Sequence, residues 1–503
     1  MAKHLILPED MHGFKVHFVG IKGTGMVALV EIFNARGAEI TGSDVPERFY
    51  TDAVLEKLGI RASVFSEDNV SADSKTGRLP DLVVYSSAYK LDVNPDLIAA
   101  VKNNVPCMLY TEALGAVSES PFSAGICGVH GKTTVTGISG TIADYTGLPA
   151  QILAGSVIKS FGDSCTLNKG CSYFIAETCE YQRHFMSFHP DIIVLTSVES
   201  DHEDYYPTYN DILSAFVDYL CKLPKHGKVI YCADDKGACE AVQEASFRRP
   251  DLKLIPYGEY APGDYGIIFG RIEDGKQYFR LFGYEEEFAV CIPGHHVVLD
   301  ACAAAALNME LLKREHPLTA DDIENIKKGL LAFAGAKRRS EITGELTLTK
   351  DNQPYKVLFI DDYGHHPTAI KTTLAGYRSF YPDYVIIADF MSHTYTRTAA
   401  LLEDFAKSFE SADEVILHKI YPSAREVYSG GVNGKILFAR TQANHPNVKY
   451  FEEVLDAKPY AVERLKESLP EGKKGYLFVT IGAGDNWKLG TEVFKELKEG
   501  KSK

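Results

Sequence analysis

The run Gly125-Ile126-Cys127-Gly128-Val129-His130-Gly131-Lys132-Thr133-Thr134 constrains this chain more than any other segment. A glycine-rich turn followed by Lys-Thr is how backbone N–H groups are wrapped around a nucleotide polyphosphate, because the glycines let successive amides point at phosphate oxygens. Such a loop needs a strand to feed it and a helix whose N-terminus receives the phosphates. Residues 121–126 supply the strand and 135–145 the helix. Lys132 places a cation near the β- and γ-phosphates, and Thr133 offers a hydroxyl to Mg2+. The strict spacing asks for glycine at position 126, where Ile126 stands, but the Gly131-Lys132-Thr133-Thr134 core is intact. ATP with Mg2+ is the expected ligand of this unit.

Strand and helix patterns alternate on both sides of the loop. Upstream, Lys15 to Val19 reads as a strand, followed by Gly20-Ile-Lys-Gly23-Thr24-Gly25-Met26-Val-Ala28, a helix to about Arg36, and a strand at Glu39 to Thr41 with Asp44 just beyond it. Gly23-x-Gly25-x-x-Ala28 followed by an acid is a dinucleotide-type fingerprint that sets a pyrophosphate on a helix N-terminus. The glycines begin three residues later than usual, so a plain βαβ turn without a ligand stands as the equal alternative. A further strand over 81–85 ends at Ser86-Ser87, on the carboxyl side where doubly wound sheets bind ligands. Downstream, strands are expected at 173–176, 191–195 and 227–231, with an alanine-rich helix at 300–307. From Glu341 onward the alternation resumes, with strands at 357–360, 384–388, 414–417 and 475–479. Repeated βαβ alternation implies mainly parallel α/β sheets. A chain of 503 residues exceeds one core, and three units follow: 1–120, 121–340 and 341–503.

The formal net charge of −15 disfavours nucleic acid or an anionic membrane as the main partner, since both need a positive field. No segment reaches the ~18 apolar residues of a membrane span, and residues 1–10 lack the apolar core of a signal peptide, so a cytoplasmic setting is expected. The ten cysteines contain no Cys-x-x-Cys and read as buried hydrophobes rather than zinc ligands or disulfides. Cys127 is singled out because it lies in the phosphate loop. The charged stretch 495–503 reads as a frayed end.

Two acidic clusters fall at strand ends of the middle unit, Glu177-Thr-Cys-Glu180 and Glu199-Ser-Asp201-His202. A hard Mg2+ takes oxygen ligands, which makes Glu177 its natural partner beside Thr133. His202 suits either a second ion or a hydrogen bond to a transferring phosphoryl group. In the last unit, Asp361-Asp-Tyr363-Gly-His365-His366-Pro-Thr368 and Ser392-His393-Thr394-Tyr-Thr-Arg397-Thr398 follow successive strands. Clusters of His, Tyr and Arg at strand ends suit a small carboxylate-bearing substrate, because Arg grips a carboxylate in a two-pronged fork.

Taken in order, these motifs resemble the Mur ligase family over nearly the whole chain. Within it, the 361–368 and 393–398 elements are similar to the branch that joins L-alanine to UDP-N-acetylmuramate. The resemblance implies a Rossmann-like N-terminal domain for the UDP-sugar, a central P-loop ATPase domain and a Rossmann-like C-terminal domain for the amino acid, in a monomer or homodimer. It implies that Gly20, Gly23, Thr24, Gly25, Met26, Asp44, Ser86 and Ser87 meet the UDP-sugar. Gly128, His130, Gly131, Lys132, Thr133 and Thr134 would hold the phosphates, His296 and Asp300 the adenine, and Arg338 or Arg339 the γ-phosphate. Thr133, Glu177 and His202 would bind metal, with Lys132, Glu177 and His202 catalytic. Tyr363, His365, His393 and Arg397 would form the alanine site. The activity implied is ATP-driven amide formation through an acyl phosphate, in peptidoglycan precursor synthesis.

Three positions depart from the family pattern: Val129 replaces a threonine, Thr394 replaces an arginine, and Gly294-His-His296-Val297-Val-Leu-Asp300 stands where the family reads Gly-x-His-Asn-x-x-Asn. Thr394 is expected to relax selection among alanine, glycine and serine. The rival readings are a sister ligase that attaches a recycled murein peptide to the same UDP-sugar, an NAD-dependent oxidoreductase built on the Gly23-to-Asp44 fingerprint, and a nucleotide-switch module.

Overall fold

The computed structural model describes residues 7–49, 51–72, 77–119, 121–202, 205–422, 428 and 430–500. Among the described residues, three α/β sheets follow one another, with a small antiparallel sheet between the second and third. In the first, the strands Glu39–Ser43, Lys15–Val19, Leu82–Tyr85 and Cys107–Leu109 lie side by side in that order, all parallel. Val16, Phe18, Val19, Leu82, Val83 and Val84 are fully buried. Consecutive apolar residues are what a parallel strand covered on both faces requires.

The middle sheet has seven strands, in the order Lys253–Tyr257, Lys228–Cys232, Ile192–Leu195, Phe122–Cys127, Tyr173–Glu177, Ala150–Ile158 and Ser164–Asn168. All pairs are parallel except the last. The strand feeding the phosphate loop lies between Ile192–Leu195 and Tyr173–Glu177. The carboxyl ends of three neighbouring strands therefore deliver the phosphate loop, the Glu177-to-Glu180 turn and the 196–202 segment to one edge.

The alanine-rich helix is longer than its sequence core, running His295–Glu315. Its buried alanines 301 and 303–306 let it lie close to the phosphate-loop helix Lys132–Thr146. A three-stranded antiparallel sheet, Ile267–Glu273, Lys276–Leu281 and Glu287–Val290, is added to this unit beyond the expected strands.

The third sheet runs Glu341–Lys350, Gln353–Asp362, Gly475–Ile481, Tyr384–Phe390, Glu414–Leu417 and Val448–Tyr450. The first two strands form an edge hairpin and the other pairs are parallel. Asp351 and Asn352 turn that hairpin with φ of 51° and 59°, the left-handed pair that matches strand twist in a two-residue turn. The charged stretch read as a frayed end is instead helical through Gly500, within Trp487–Gly500, where Leu497 is buried. Residues 501–503 of that stretch, and 1–6 of the N-terminal reading, lie outside the described residues. No described helix is long and apolar enough to cross a membrane.

Candidate active site

Glycine geometry shapes the phosphate loop. Gly128 and Gly131 have φ of 138° and 82°, values that L side chains rarely adopt. A Cβ on Gly128 would stand 2.0 Å from the Thr196 hydroxyl, and one on Gly131 would stand 2.5 Å from the Asp300 carboxylate. Val129, where the family carries threonine, packs with Ile193, Leu195 and Phe216 in the apolar layer behind the loop. Cys127 is wholly buried at the end of its strand, and burial pushes its thiol far up, so it is an unreactive core residue.

The reactive face of the loop is organised by Glu180, which the sequence reading left unassigned. Lys132 Nζ is 3.0 Å from Glu180 Oε2, and His202 Nε2 is 3.4 Å from Glu180 Oε1. Burial opposes ionisation of Glu180, but the Lys132 charge and the His202 hydrogen bond hold its carboxyl below the usual range. Burial likewise works against the charged form of His202, yet Glu180 and Asp201 together raise it. His202 carries φ of 58°, a costly conformation for a non-glycine residue. Beside this pair, Thr133 donates its hydroxyl to Glu177 Oε2 at 2.8 Å, and the same oxygen accepts from the Gly155 amide at 2.8 Å. A Cβ on Gly155 would lie 2.5 Å from that carboxylate. Thr133 and Glu177 offer the oxygen donors that a hard cation such as Mg2+ prefers.

A cavity of about 400 Å3 opens over the loop, between the middle and C-terminal domains. His130, Gly131, Lys132, Thr133, Thr134 and Glu177 line it, as do His296 and Asp300, while Tyr257, Ile292, Val297, Leu299 and Phe333 give it apolar walls. Burial lowers His296 to about 4, so the ring is neutral, and its shielded Nδ1 has no hydrogen-bond partner among the described residues. Burial also drives Asp300 well above the carboxylate range despite the Arg339 charge. A protonated Asp300 presents one donor and one acceptor, as an asparagine amide does.

Of the two adjacent arginines, Arg339 lines this cavity and Arg338 does not. Arg339 is thus the one of the two candidates that faces the cavity. Arg338 has φ of 57°, and the reversed backbone sends its guanidinium into the C-terminal domain. There Nε bonds Asp361 at 2.8 Å and Nη2 donates to the Gly482 carbonyl at 2.7 Å.

The four C-terminal residues gather around one point. Tyr363 and His365 rings are 5.3 Å apart, His365 and His393 rings 6.4 Å, and Arg397 Nη1 is 3.3 Å from His393 Nδ1. Arg397 is buried, and its Nη2 bonds Asp201 of the middle domain at 2.6 Å. Burial penalises the Asp201 charge, but Arg397 overrides it and holds that carboxyl far below its ordinary value. The Glu-Ser-Asp-His motif thus sends His202 to the loop and Asp201 to the other domain. Thr394, with φ of 68°, starts the helix Tyr395–Ala400 on which Arg397 sits, and its hydroxyl accepts from the Arg397 amide at 3.4 Å.

The N-terminal loop stands apart from this cavity. Gly20 has φ of 82° and faces the Tyr89 ring, Gly23 caps the helix Thr24–Ala35, and Gly25 abuts Tyr110. Ser86 and Ser87 follow the strand Leu82–Tyr85, and the Ser86 hydroxyl accepts from the Ala88 amide. Two of the expected residues are used internally. Asp44 accepts from the Lys22 and Val45 amides at 2.7 Å each and fastens the glycine turn, while the Met26 side chain is in the domain core. Met26 can meet a ligand only through its backbone.

Comparison with known proteins gives this three-domain arrangement a lineage. Residues 15–120 match the family model described as "Mur ligase family, catalytic domain", 126–308 the "Mur ligase middle domain" and 345–484 the "Mur ligase, glutamate ligase domain". The chain is 49% identical over 495 residues to the UDP-N-acetylmuramate–L-alanine ligase of Treponema pallidum, covering 98% of each chain. It belongs to the Mur ligase family. The corresponding ligase of Borrelia garinii is 34% identical over 474 residues, 94% of this chain and 97% of that one. Among solved structures, UDP-N-acetylmuramate-alanine ligase of Thermotoga maritima shares the fold with a TM-score of 0.71 at 22% identity, over 97% of this chain and 99% of that one. A murein peptide ligase from Psychrobacter arcticus shares it with a TM-score of 0.62 at 21% identity, over 96% and 99%. The three-domain α/β architecture of this Mur ligase, with mostly parallel sheets, is the one its motifs imply.

Proposed function

We propose that this chain joins L-alanine to the lactyl carboxylate of UDP-N-acetylmuramate at the expense of ATP, in cytoplasmic synthesis of peptidoglycan precursors. Its three units run 1–120, 121–340 and 341–503. One observation carries the reading: the phosphate-loop machinery of Lys132, Glu180 and His202 meets the Tyr363, His365, His393 and Arg397 cluster through the Asp201–Arg397 bridge. A nucleotide switch has no use for a second, amino-acid-sized cluster at that point. The curated relatives carry the name of this activity, which supports the choice of substrates.

A carboxylate resists amines because oxide is a poor leaving group. In the proposed route, the lactyl carboxylate attacks the γ-phosphorus of ATP, ADP departs, and an acyl phosphate forms. The alanine amine then adds to the acyl carbon, and the tetrahedral intermediate expels phosphate. Lys132 neutralises polyphosphate charge, and His202, whose charged form Glu180 and Asp201 favour against burial, donates toward the transferring phosphoryl oxygens. Thr133 and Glu177, with His202 beside them, would hold Mg2+, which would supply further charge neutralisation. Arg339 faces the γ-phosphate, and His296 and Asp300 read the adenine edge. Gly20, Gly23, Thr24, Gly25, Ser86 and Ser87 present the UDP-sugar. Arg397 and His393 orient the alanine carboxylate, with Tyr363 and His365 walling the site. The domains close around an intermediate that water would destroy.

Hydroxylamine tests the route. With ATP and UDP-N-acetylmuramate but no amino acid, wild-type enzyme is expected to yield the lactyl hydroxamate. Ligation proceeding normally while no hydroxamate forms would contradict an acyl phosphate.

A further inference from the structure

A second cluster lies beside this machinery and shares His130 with the phosphate loop. His130 of the phosphate loop, Glu199 at the following strand end and His366 of the C-terminal domain converge on the wall of the cavity. His130 Nε2 and His366 Nδ1 lie 3.8 and 3.7 Å from the same Glu199 oxygen, Oε2, and all three donor atoms fall within 4.8 Å of one another. These separations are too long for hydrogen bonds. The His130 Nε2 is shielded from solvent and has no hydrogen-bond partner among the described residues, a costly state for a polar atom unless something occupies the space between.

We propose that His130, Glu199 and His366 bind a borderline divalent cation, Zn2+, that ties the phosphate loop to the C-terminal domain. A tetrahedral zinc with bonds of about 2.0–2.2 Å holds its ligands about 3.3–3.6 Å apart. The observed spacing reaches that range with shifts of a few tenths of an ångström in the two imidazole–carboxylate pairs. Two imidazoles and one carboxylate select such an ion over Mg2+, which the oxygen pair Thr133 and Glu177 suits instead. Three protein ligands leave a fourth position on the cavity side, the pattern of an open zinc site.

The surroundings agree. Thr368 donates its hydroxyl to Glu199 Oε2 at 3.0 Å and so orients the carboxylate from the opposite domain. The Thr368 amide approaches His366 Nδ1 only at 3.4 Å and claims its lone pair weakly.

The test is titration of the full-length enzyme with Zn2+ alone, without nucleotide and in millimolar Mg2+ to fill the oxygen-rich site, followed calorimetrically. Co2+ under the same conditions reports coordination through its visible bands. One Zn2+ per chain is expected, with intense four-coordinate Co2+ bands. Affinity should fall at least tenfold in both His366→Asn and Glu199→Gln. Asparagine keeps the N-cap of the helix Pro367–Phe380, and Glu199→Gln probes the site from the other domain. Absence of Zn2+ uptake by wild type, or wild-type affinity in whichever of these variants folds, overturns the proposal. So does binding that survives His366→Asn but is lost in His202→Ala, which would put the ion on the other cluster.

Discussion

Asp300 shows how environment changes what a residue type means. As a carboxylate it would put negative charge beside Gly131 of the phosphate loop, but full burial favours its protonated form, which presents one donor and one acceptor as an asparagine amide does. Asp300→Asn is therefore expected to keep the KM for ATP within about threefold of wild type, a change under ~1 kcal/mol. The linkage sign follows from a raised native value. Below the ordinary Asp range both folded and unfolded states are protonated, and above it only the unfolded state ionises, so the wild-type residue destabilises the fold as pH rises. Melting curves should show Asp300→Asn more stable than wild type at pH 7, with the gap closing toward pH 3. Arg397 makes the opposite case, a charge kept by pairing. Removing it takes away a buried charged hydrogen-bonding group worth roughly 2–4 kcal/mol, so Arg397→Ala should raise the KM for alanine about 30- to 1000-fold and that for ATP far less. An unchanged alanine KM would place the carboxylate elsewhere. Competition among alanine, glycine and serine checks whether Thr394, short and uncharged, relaxes selectivity.

At the scale of elements, the phosphate loop and its helix act as one rigid part. Gly128→Ala forces a left-handed alanine and drives its Cβ onto Thr196 and the Ser197 amide. The cost should be roughly 1–3 kcal/mol of stability, read by thermal melting, with loss of nucleotide binding. Lys132→Ala should abolish ligation while UDP-N-acetylmuramate still binds, as calorimetry can show, because the glycine turn at 20–26 belongs to another sheet. These parts were legible because their residues obey local rules: β-branched runs for buried strands, glycines where φ is positive, and Lys-Thr at a helix start. The antiparallel strands at 267–290 were not legible, since Ile268 and Ile272 face solvent and blur the alternation. Arg338 and Arg339 look equivalent in sequence, and only the reversed backbone at Arg338 separates them. Glu180 was visible as a second acid three residues from Glu177, but its service to Lys132 and His202 together depends on strands meeting in space.

Across the whole molecule, function depends on how the C-terminal domain seats on the middle one. Arg338 and Arg397 pin the interface with charged bonds. Gly376 allows backbone contact, for a Cβ there would stand 2.6 Å from the Gly294 Cα. Gly376→Val should wedge the domains apart, lowering ligation at least tenfold while leaving UDP-N-acetylmuramate affinity intact, and small-angle scattering should show a more open particle. Whether ATP cleavage is tied to joining alanine to the UDP-sugar is read by following ADP release and product mass with ATP, UDP-N-acetylmuramate and each amino acid in turn. Sustained ADP release is expected only when all three substrates are present, with L-alanine a productive amine and a UDP-sugar heavier by one alanine residue. ADP release indifferent to the UDP-sugar, or turnover with no alanylated product, would contradict that coupling.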